Sequence, residues 1–355
     1  MALIDQAAGP DTSVSRTDWP TPELADGSRS NLDPMAPWKR ILVPVDFSLE
    51  SMKTLSYASK LAQSLSACLD IVHVLTTRPR GARVGAVPLL AGLDREDLAE
   101  AARAKLLAVI KRKVHWQVPW NVWIRDGQPH REILEAAARY DVDALVLHTR
   151  SKPSLEGFVD QGVTRRLVFG ASCPVLAIPP QVLWQSGESL PLVSPDHWHT
   201  ILIPTEMSRV GENALARGLA LARWFNARVT AFNVLRTGRL YSHYRPTGAR
   251  NRRFVQTKSR FRTWVHRHAP PDVHLDMCVG VGSPASTFLR AARHMRAHLI
   301  VMGTQQFSGW RRLRALRTIS RILADTPCPI LCVPQPPGGL QMPAAAVSTT
   351  RDQVP

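Results

Sequence analysis

The sequence Ala-Leu-Val-Leu-His-Thr-Arg at residues 144–150, followed by Pro-Val-Leu-Ala-Ile-Pro at 174–179, decides the fold of this chain. Both segments are short apolar runs, which is typical of strands covered on both faces in a parallel sheet. A polar loop and the helical segment 163–169 separate them.

The same plan returns at 297–335, with Leu-Ile-Val-Met-Gly-Thr at 299–304 and Pro-Ile-Leu-Cys-Val-Pro at 329–334. Cys-Pro pairs at Cys173 and Cys328, and Gly-x-Pro turns at Gly127 and Gly282, are each separated by 155 residues. Solenoid repeats are about 20 to 50 residues long. The longer period therefore predicts two homologous domains.

Each repeat alternates strands and helices. In the first repeat we predict strands at 41–46, 69–75, 118–124, 144–150 and 174–179, with helices at 49–64, 94–113, 130–140 and 163–169. In the second we predict strands at 201–206, 228–235, 273–279, 299–304 and 329–334, with helices at 210–225, 249–268 and 285–295 and another ending near 324. Parallel strands need helical crossovers, so each repeat should form a five-stranded, doubly wound α/β domain.

The predicted organisation has five parts. These are an acidic, disordered arm (1–37), a first domain (38–180), a linker (181–197), a second domain (198–335) and a disordered tail (336–355). No apolar run is long enough to span a membrane, and the start of the chain lacks a signal-peptide pattern, so we expect a cytoplasmic protein.

The net charge of +17 is concentrated in the second domain. Residues 38–180 hold 20 Lys and Arg against 14 Asp and Glu, or +6, whereas residues 198–335 hold 22 against 5, or +17. Ten basic residues and no acidic one lie between Arg236 and Arg267. This segment is either a solvated face or a surface for nucleic acid, for an acidic protein or for an anionic membrane surface.

Several segments together resemble the universal stress protein (UspA) family. They are Ile-Leu-Val-Pro-Val-Asp-Phe-Ser (41–48), His-Val (73–74), Gly-Gln-Pro-His (127–130) and Ser-Cys-Pro-Val-Leu (172–176), with Ile-Leu-Ile-Pro (201–204), Gly-Ser-Pro (282–284), Ile-Val-Met-Gly-Thr (300–304) and Pro-Cys-Pro-Ile-Leu (327–331) in the second repeat. The resemblance is to tandem members. It implies strand order 3-2-1-4-5, adenine-nucleotide binding, a stress-response role and dimers, formed here by the two domains within one chain or by two chains.

In an open parallel sheet the ligand binds beyond the carboxyl ends of the strands where their order reverses, here between strands one and four. This rule brings Asp46 near 148–151, and Glu206 near 303–306. Asp46 either binds a ribose or adenine edge, or braces its own turn. Glu206 is a weaker candidate for the same role because its side chain is longer.

The family's nucleotide binders carry Gly-x2-Gly-x9-Gly-Ser/Thr after strand four, where backbone N–H groups approach phosphates. The motif falls on His148, Ser151, Gln161 and Gly162 in the first domain and on Gly303, Gln306, Leu316 and Arg317 in the second. Side chains at 161 and 316 would occupy the phosphate position. We therefore expect no bound cofactor, with ATP or AMP as the alternative, held through Asp46 or through arginines at 311–321.

The remaining candidate residues for nucleotide binding are His73, Gly127 and Gly282, at strand ends and turns, and Thr164, near the start of the last helix of the first repeat. Thr164 and Ser320 are most simply helix caps or surface residues. No nucleophile elbow, Walker loop or paired carboxylates occur, and the histidines at 266, 268 and 274 lack an acidic or cysteine partner for a metal, so we expect no catalysis and no metal. The five cysteines are expected to be buried, reduced thiols.

Overall fold

The computed structural model describes residues 38–76, 95–149, 162–184, 198–236, 248–269, 273–304 and 319–335. The predicted arm, the tail and most of the linker lie outside these ranges. Among the described residues, no helix is both long and apolar enough to cross a membrane.

The first repeat contains five strands and five helices in the described residues. In chain order they are β1 (Arg40–Pro44), α1 (Leu49–Leu65), β2 (Cys68–Leu75), α2 (Arg95–Lys113), β3 (Trp120–Asp126), α3 (Pro129–Arg139), β4 (Ala144–His148), α4 (Gly162–Gly170), β5 (Val175–Ile178) and α5 (Pro180–Trp184).

The second repeat follows the same plan. Its elements are β6 (Thr200–Pro204), α6 (Arg209–Phe225), β7 (Arg228–Arg236), α7 (Gly248–His268), β8 (Leu275–Gly282), α8 (Pro284–His294), β9 (Leu299–Thr304) and β10 (Ile330–Pro334). Residues 319–325 are also helical.

The predicted α/β class and strand order are confirmed. Strands pair in parallel in the order β3-β2-β1-β4-β5 in the first repeat, and the second repeat has the matching order β8-β7-β6-β9-β10. The central strands are almost fully buried, because helices cover both faces of the sheet.

Some predicted boundaries are wrong. β3 starts two residues later than predicted, at Trp120, and β8 continues to Gly282 because it stays paired with β7 as far as Arg236. Helices α3 and α8 begin at Pro129 and Pro284, where a missing N–H costs nothing. Residues 181–184, which we placed in the linker, belong to helix α5.

The two repeats do not form separate sheets. β5 and β10 pair antiparallel and join them into a ten-stranded sheet, in which Leu176 faces Leu331, Ala177 faces Ile330, and Val175 faces Cys332. Leu176 and Leu331 are equivalent positions of the repeats, 155 residues apart. The junction therefore has an approximate two-fold axis through this pair, like the interface of a symmetric dimer.

Two side-chain hydrogen bonds between the repeats reinforce the junction. The indole of Trp224 donates a hydrogen bond to the carbonyl of Ser64, its equivalent in the first repeat, at 3.0 Å. The indole of Trp198, which is fully buried, donates to the hydroxyl of Tyr57 at 3.2 Å. The predicted pairing of the two domains within one chain thus takes the form of one continuous core.

The first repeat contains a buried ion pair at two positions that are threonines in the second repeat. The carboxylate of Asp70, on β2, is fully buried and accepts hydrogen bonds from Arg40 at 2.9 and 3.0 Å, Asn121 at 3.0 Å and Trp123 at 3.1 Å. These residues lie on β1 and β3, so the network ties three strands together. Thr200 and Thr230 stand at the equivalent positions of Arg40 and Asp70 in the second repeat.

Replacing Asp70 with Ala should destabilise the protein by about 3 to 5 kcal/mol, because the guanidinium of Arg40 loses its partner in a poorly hydrated place. Urea denaturation measures this loss as a change in the free energy of unfolding. The matched variant Thr230→Ala, at the equivalent strand position, should cost less than about 1 kcal/mol. Equal losses in the two variants would show that the Asp70 network adds no more to the free energy of unfolding than an ordinary threonine does.

A fragment of residues 38–184 should form a homodimer, since it exposes the edge of β5 that normally pairs with β10. The two-fold register allows Leu176 of one copy to face Leu176 of the other. Sedimentation equilibrium measures the association. The same fragment with Leu176→Lys should be monomeric, and a monomeric wild-type fragment would contradict the inferred symmetry.

Candidate functional site

The carboxyl ends of β1 and β4, and of β6 and β9, are neighbours at the two points where the strand order reverses. Asp46 follows β1 and His148 ends β4 in the first repeat. In the second, Glu206 follows β6 and Gly303 lies within β9. The topology thus creates one candidate ligand crevice in each repeat.

Asp46 braces the turn between β1 and α1. Its Oδ1 accepts hydrogen bonds from the backbone N–H of Ser48 at 2.9 Å and from its hydroxyl at 2.5 Å. Phe47 between them is left-handed, with φ 60°, and Ser48 caps α1 by accepting from Ser51. Of the two roles weighed for Asp46, the bracing role is therefore observed, while ligand binding stays a prediction.

The same hydrogen bonds set the charge of Asp46. Partial burial acts to raise the pKa of this carboxyl, but the bonds from Ser48, a contribution from Ser51 and the proximity of His148 outweigh it. The pKa of Asp46 is consequently lower than its ordinary value. The first crevice holds a carboxylate at neutral pH.

The corresponding turn of the second repeat has the same shape without the carboxylate bond. Met207 is left-handed, with φ 59°, and its N–H donates to the hydroxyl of Thr205 at 3.1 Å. Ser208 caps α6 through the N–H of Gly211 at 3.3 Å. Glu206 is exposed beside this turn.

His73, on β2, forms a hydrogen bond with the backbone just after β1. Its Nδ1 lies 2.7 Å from the carbonyl oxygen of Val45 and must carry the hydrogen, because a carbonyl only accepts. The ring also packs against Phe47, with centroids 4.5 Å apart. In the second repeat Asn233 donates to the carbonyl of Thr205 at 2.8 Å. The pairing of these equivalent residues indicates a structural role for His73.

Gly127 and Gly282 form the turns after β3 and at the end of β8. Their φ angles are 145° and 139°, a region that favours glycine. A Cβ at Gly127 would lie 2.8 Å from Oε1 of Glu132, and one at Gly282 would lie 2.8 Å from Oγ1 of Thr287. Backbone geometry explains both glycines without a ligand.

Gly303 is explained by packing in the same way. A Cβ there would lie 2.2 Å from Cγ1 of Val210 and 2.7 Å from its backbone oxygen, so the first turn of α6 rests directly on the main chain of β9. The equivalent residue of the first repeat is His148, at the end of β4. Gly303, the one glycine of the motif that the second repeat keeps, is thus required by the contact between helix α6 and strand β9.

The rest of the phosphate motif is only partly described. Gly162 begins α4, and the hydroxyl of Thr164 donates to the carbonyl of His148 at 3.5 Å, which links that helix to the crevice. Arg317 and the motif positions 151, 161, 306 and 316 lie outside the described residues. The predicted loss of the phosphate loop therefore stays a prediction.

The predicted basic face lies on α7. This helix carries seven Lys and Arg and no acidic residue, and the side chains of Arg252, Arg253, Lys258, Arg260, Arg262 and Arg267 are exposed. Its aromatic residues Phe254, Phe261 and Trp264 are partly or fully buried, as predicted. Sequence reasoning identified this face from charge alone, but not the cavity beside it.

All five cysteines carry free thiols. Burial raises the pKa of Cys173, Cys328 and Cys332 to about 12, so these thiols are protonated and unreactive at neutral pH. Within the described ranges, no group of three or more His, Cys, Asp or Glu side chains could hold a metal ion.

A family model described as "universal stress protein family" matches the chain twice, at residues 37–179 and at residues 197–334. The chain belongs to the universal stress protein family. The two matches coincide with the two repeats and cover most of the chain, so it is a tandem member.

Similar proteins support the assignment. A universal stress protein of Methanocaldococcus jannaschii is 29% identical over 143 residues, which are 40% of this chain and 82% of that protein. A solved universal stress protein from Archaeoglobus fulgidus superposes with a TM-score of 0.57 at 15% identity, covering 83% of this chain and 96% of that one. A second, from Pseudomonas aeruginosa, gives 0.54 at 15% identity over 84% and 94%. The likeness to these two structures extends over both repeats and shows the fold.

Replacing Gly303 with Ala should destabilise the protein by about 1 to 3 kcal/mol, because the new methyl group collides with the backbone of α6. Chemical denaturation without nucleotide measures the change. Gly170→Ala is the control, since its Cβ would meet only the mobile end of Leu134, at 2.9 Å. If Gly303→Ala leaves stability unchanged, the packing explanation for this glycine is wrong.

Proposed function

We propose that this tandem universal stress protein is a non-enzymatic, cytoplasmic stress-response protein that works without a bound adenine nucleotide. Its two domains replace the two subunits of a dimer and present one continuous surface to partners. The observation that carries the proposal is the contact of Val210 with Gly303. It gives a structural reason for the single glycine that the second repeat retains from the phosphate motif.

The first repeat supports the same proposal. His148 stands where the motif has its first glycine, and one carboxylate oxygen of Asp46 is occupied by Ser48. Gln161, at the third glycine of the motif, would put a side chain where phosphates approach bare main chain in nucleotide-binding members. The first repeat forms all five strands of the sheet and the helices between them. We infer that its fold does not require a phosphate-binding loop.

The alternative is an adenine-nucleotide sensor that binds ATP or AMP through Asp46. It is favoured by the ionised state of that carboxyl at the mouth of the crevice. The two functions differ in what the wild-type protein binds, so one measurement separates them.

The purified protein should release no stoichiometric ATP or AMP on denaturation, and millimolar ATP should not change its melting temperature. A nucleotide present at about a hundred times its Kd would add about 2.7 kcal/mol to the free energy of unfolding, which thermal denaturation detects readily. Stabilisation of the wild type that disappears in Asp46→Asn would establish the sensor instead.

A gain-of-function variant sharpens the test. His148→Gly, Ser151→Gly and Gln161→Gly together restore the small residues of the first repeat's motif. If these side chains are what excludes the phosphates, ATP should stabilise the triple variant and not the wild type.

A further inference from the structure

A cavity of about 360 Å³, widely open to solvent, lies beside helix α7 at the carboxyl end of β7. It is separate from the crevice of the second repeat, because none of its described lining residues belongs to β6 or β9. One of these lining residues is from the strand and five are from the helix: Leu235, Arg253, Gln256, Thr257, Ser259 and Arg260. Its volume is in the range of sites for small ligands.

The helix presents one polar stripe to this cavity. Arg253, Gln256, Thr257 and Arg260 follow the spacing i, i+3, i+4, i+7, so their side chains lie on the same side of α7. The apolar stripe that anchors the helix is separate and contains Phe261 and Val265, both buried. The lining therefore combines an amide, hydroxyls and two guanidinium groups with apolar surface, which includes Leu235.

The positive charge of this wall is not neutralised by the described part of the protein. Helix α7 has no acidic residue, and no carboxylate in the described ranges forms an ion pair with Arg253 or Arg260. Guanidinium groups pair with phosphate through two parallel hydrogen bonds, and Gln and Thr side chains add neutral donors. The chemistry of the wall is complementary to a phosphorylated anion.

We propose that this cavity binds a small molecule carrying two or more linked phosphate groups. Arg253 and Arg260 are seven residues apart, which places their backbones about 10.5 Å apart along the helix. Guanidinium groups from backbone positions this far apart can each bind a different phosphate group of one polyphosphate chain or bisphosphate. The site belongs to the second domain, because α2, the corresponding helix of the first domain, carries the acidic residues Glu96 and Asp97 in its first turn.

A nucleic acid backbone offers the same phosphate chemistry, but it would meet the whole exposed side of α7. Arg262 and Arg267 are exposed on that helix and do not line the cavity. A polynucleotide should therefore use them as much as Arg253 and Arg260. Only one of the two pairs of arginines lines the cavity, so the two cases differ in which arginines contribute.

Isothermal titration of the full chain with tripolyphosphate tests the proposal. The double variant Arg253→Gln and Arg260→Gln should weaken binding by at least about tenfold, since each charged hydrogen bond contributes substantially. The control Arg262→Gln and Arg267→Gln removes the same charge from the same helix outside the cavity. It should weaken binding by less than about threefold, because exposed charges at a distance are screened.

A second pair of substitutions separates the cavity from general electrostatics. Gln256→Leu with Thr257→Val leaves the net charge unchanged and should also reduce the affinity for tripolyphosphate, while circular dichroism confirms an intact fold. Equal weakening by both arginine pairs, or no binding to the wild type at millimolar tripolyphosphate, would overturn the proposal. Tighter binding of duplex DNA that depends equally on all four arginines would also overturn it, in favour of nucleic acid.

These results do not depend on whether the family's crevice binds ATP. Asp46→Asn leaves the α7 cavity untouched and should not change tripolyphosphate binding. Tighter binding in that variant would place the anion in the first crevice, because the substitution removes a negative charge there, and it would refute the cavity site.

Discussion

The antiparallel pairing of β5 with β10 is the interaction on which the arrangement of the two domains depends. In each domain this strand would otherwise be an open sheet edge with unpaired N–H and C=O groups. The self-complementary register, with Leu176 opposite Leu331, satisfies both edges at once. Because the two strands belong to one chain, the pairing does not depend on protein concentration, as it would in a dimer.

This junction also determines which surfaces remain for other molecules. With β5 and β10 paired, the outer edges of the sheet are β3 and β8. The hydrogen bond from Trp224 to Ser64 links helices α6 and α1 of the two domains, and the buried indole of Trp198, just before β6, donates to Tyr57 of α1. A further association between chains would have to use a surface other than the fifth strand.

The two domains keep the same skeleton with different interior chemistry. Asp70 and its partners fasten three strands of the first domain through a buried carboxylate, whereas the second domain has Thr200 and Thr230 at the equivalent ion-pair positions. His73 and Asn233 nevertheless donate the same hydrogen bond to the carbonyl that follows the first strand. The two domains thus share the hydrogen bond that supports the end of the first strand, although different side chains make it. They differ in the buried ion pair between the first and second strands.

The sequence by itself determined the two repeats, the order of strands and helices, the α/β class and the basic character of the second domain, because apolar periodicity and charge are local properties. It also brought Asp46 and His148 to one crevice, since the carboxyl ends of parallel strands meet. It did not predict the joined sheet, the Asp70 network or the cavity beside α7. Only the tertiary structure decided these, because an apolar run such as 174–179 does not specify its partner strand, and the residues that meet Asp70 lie 30 to 53 positions away in the chain.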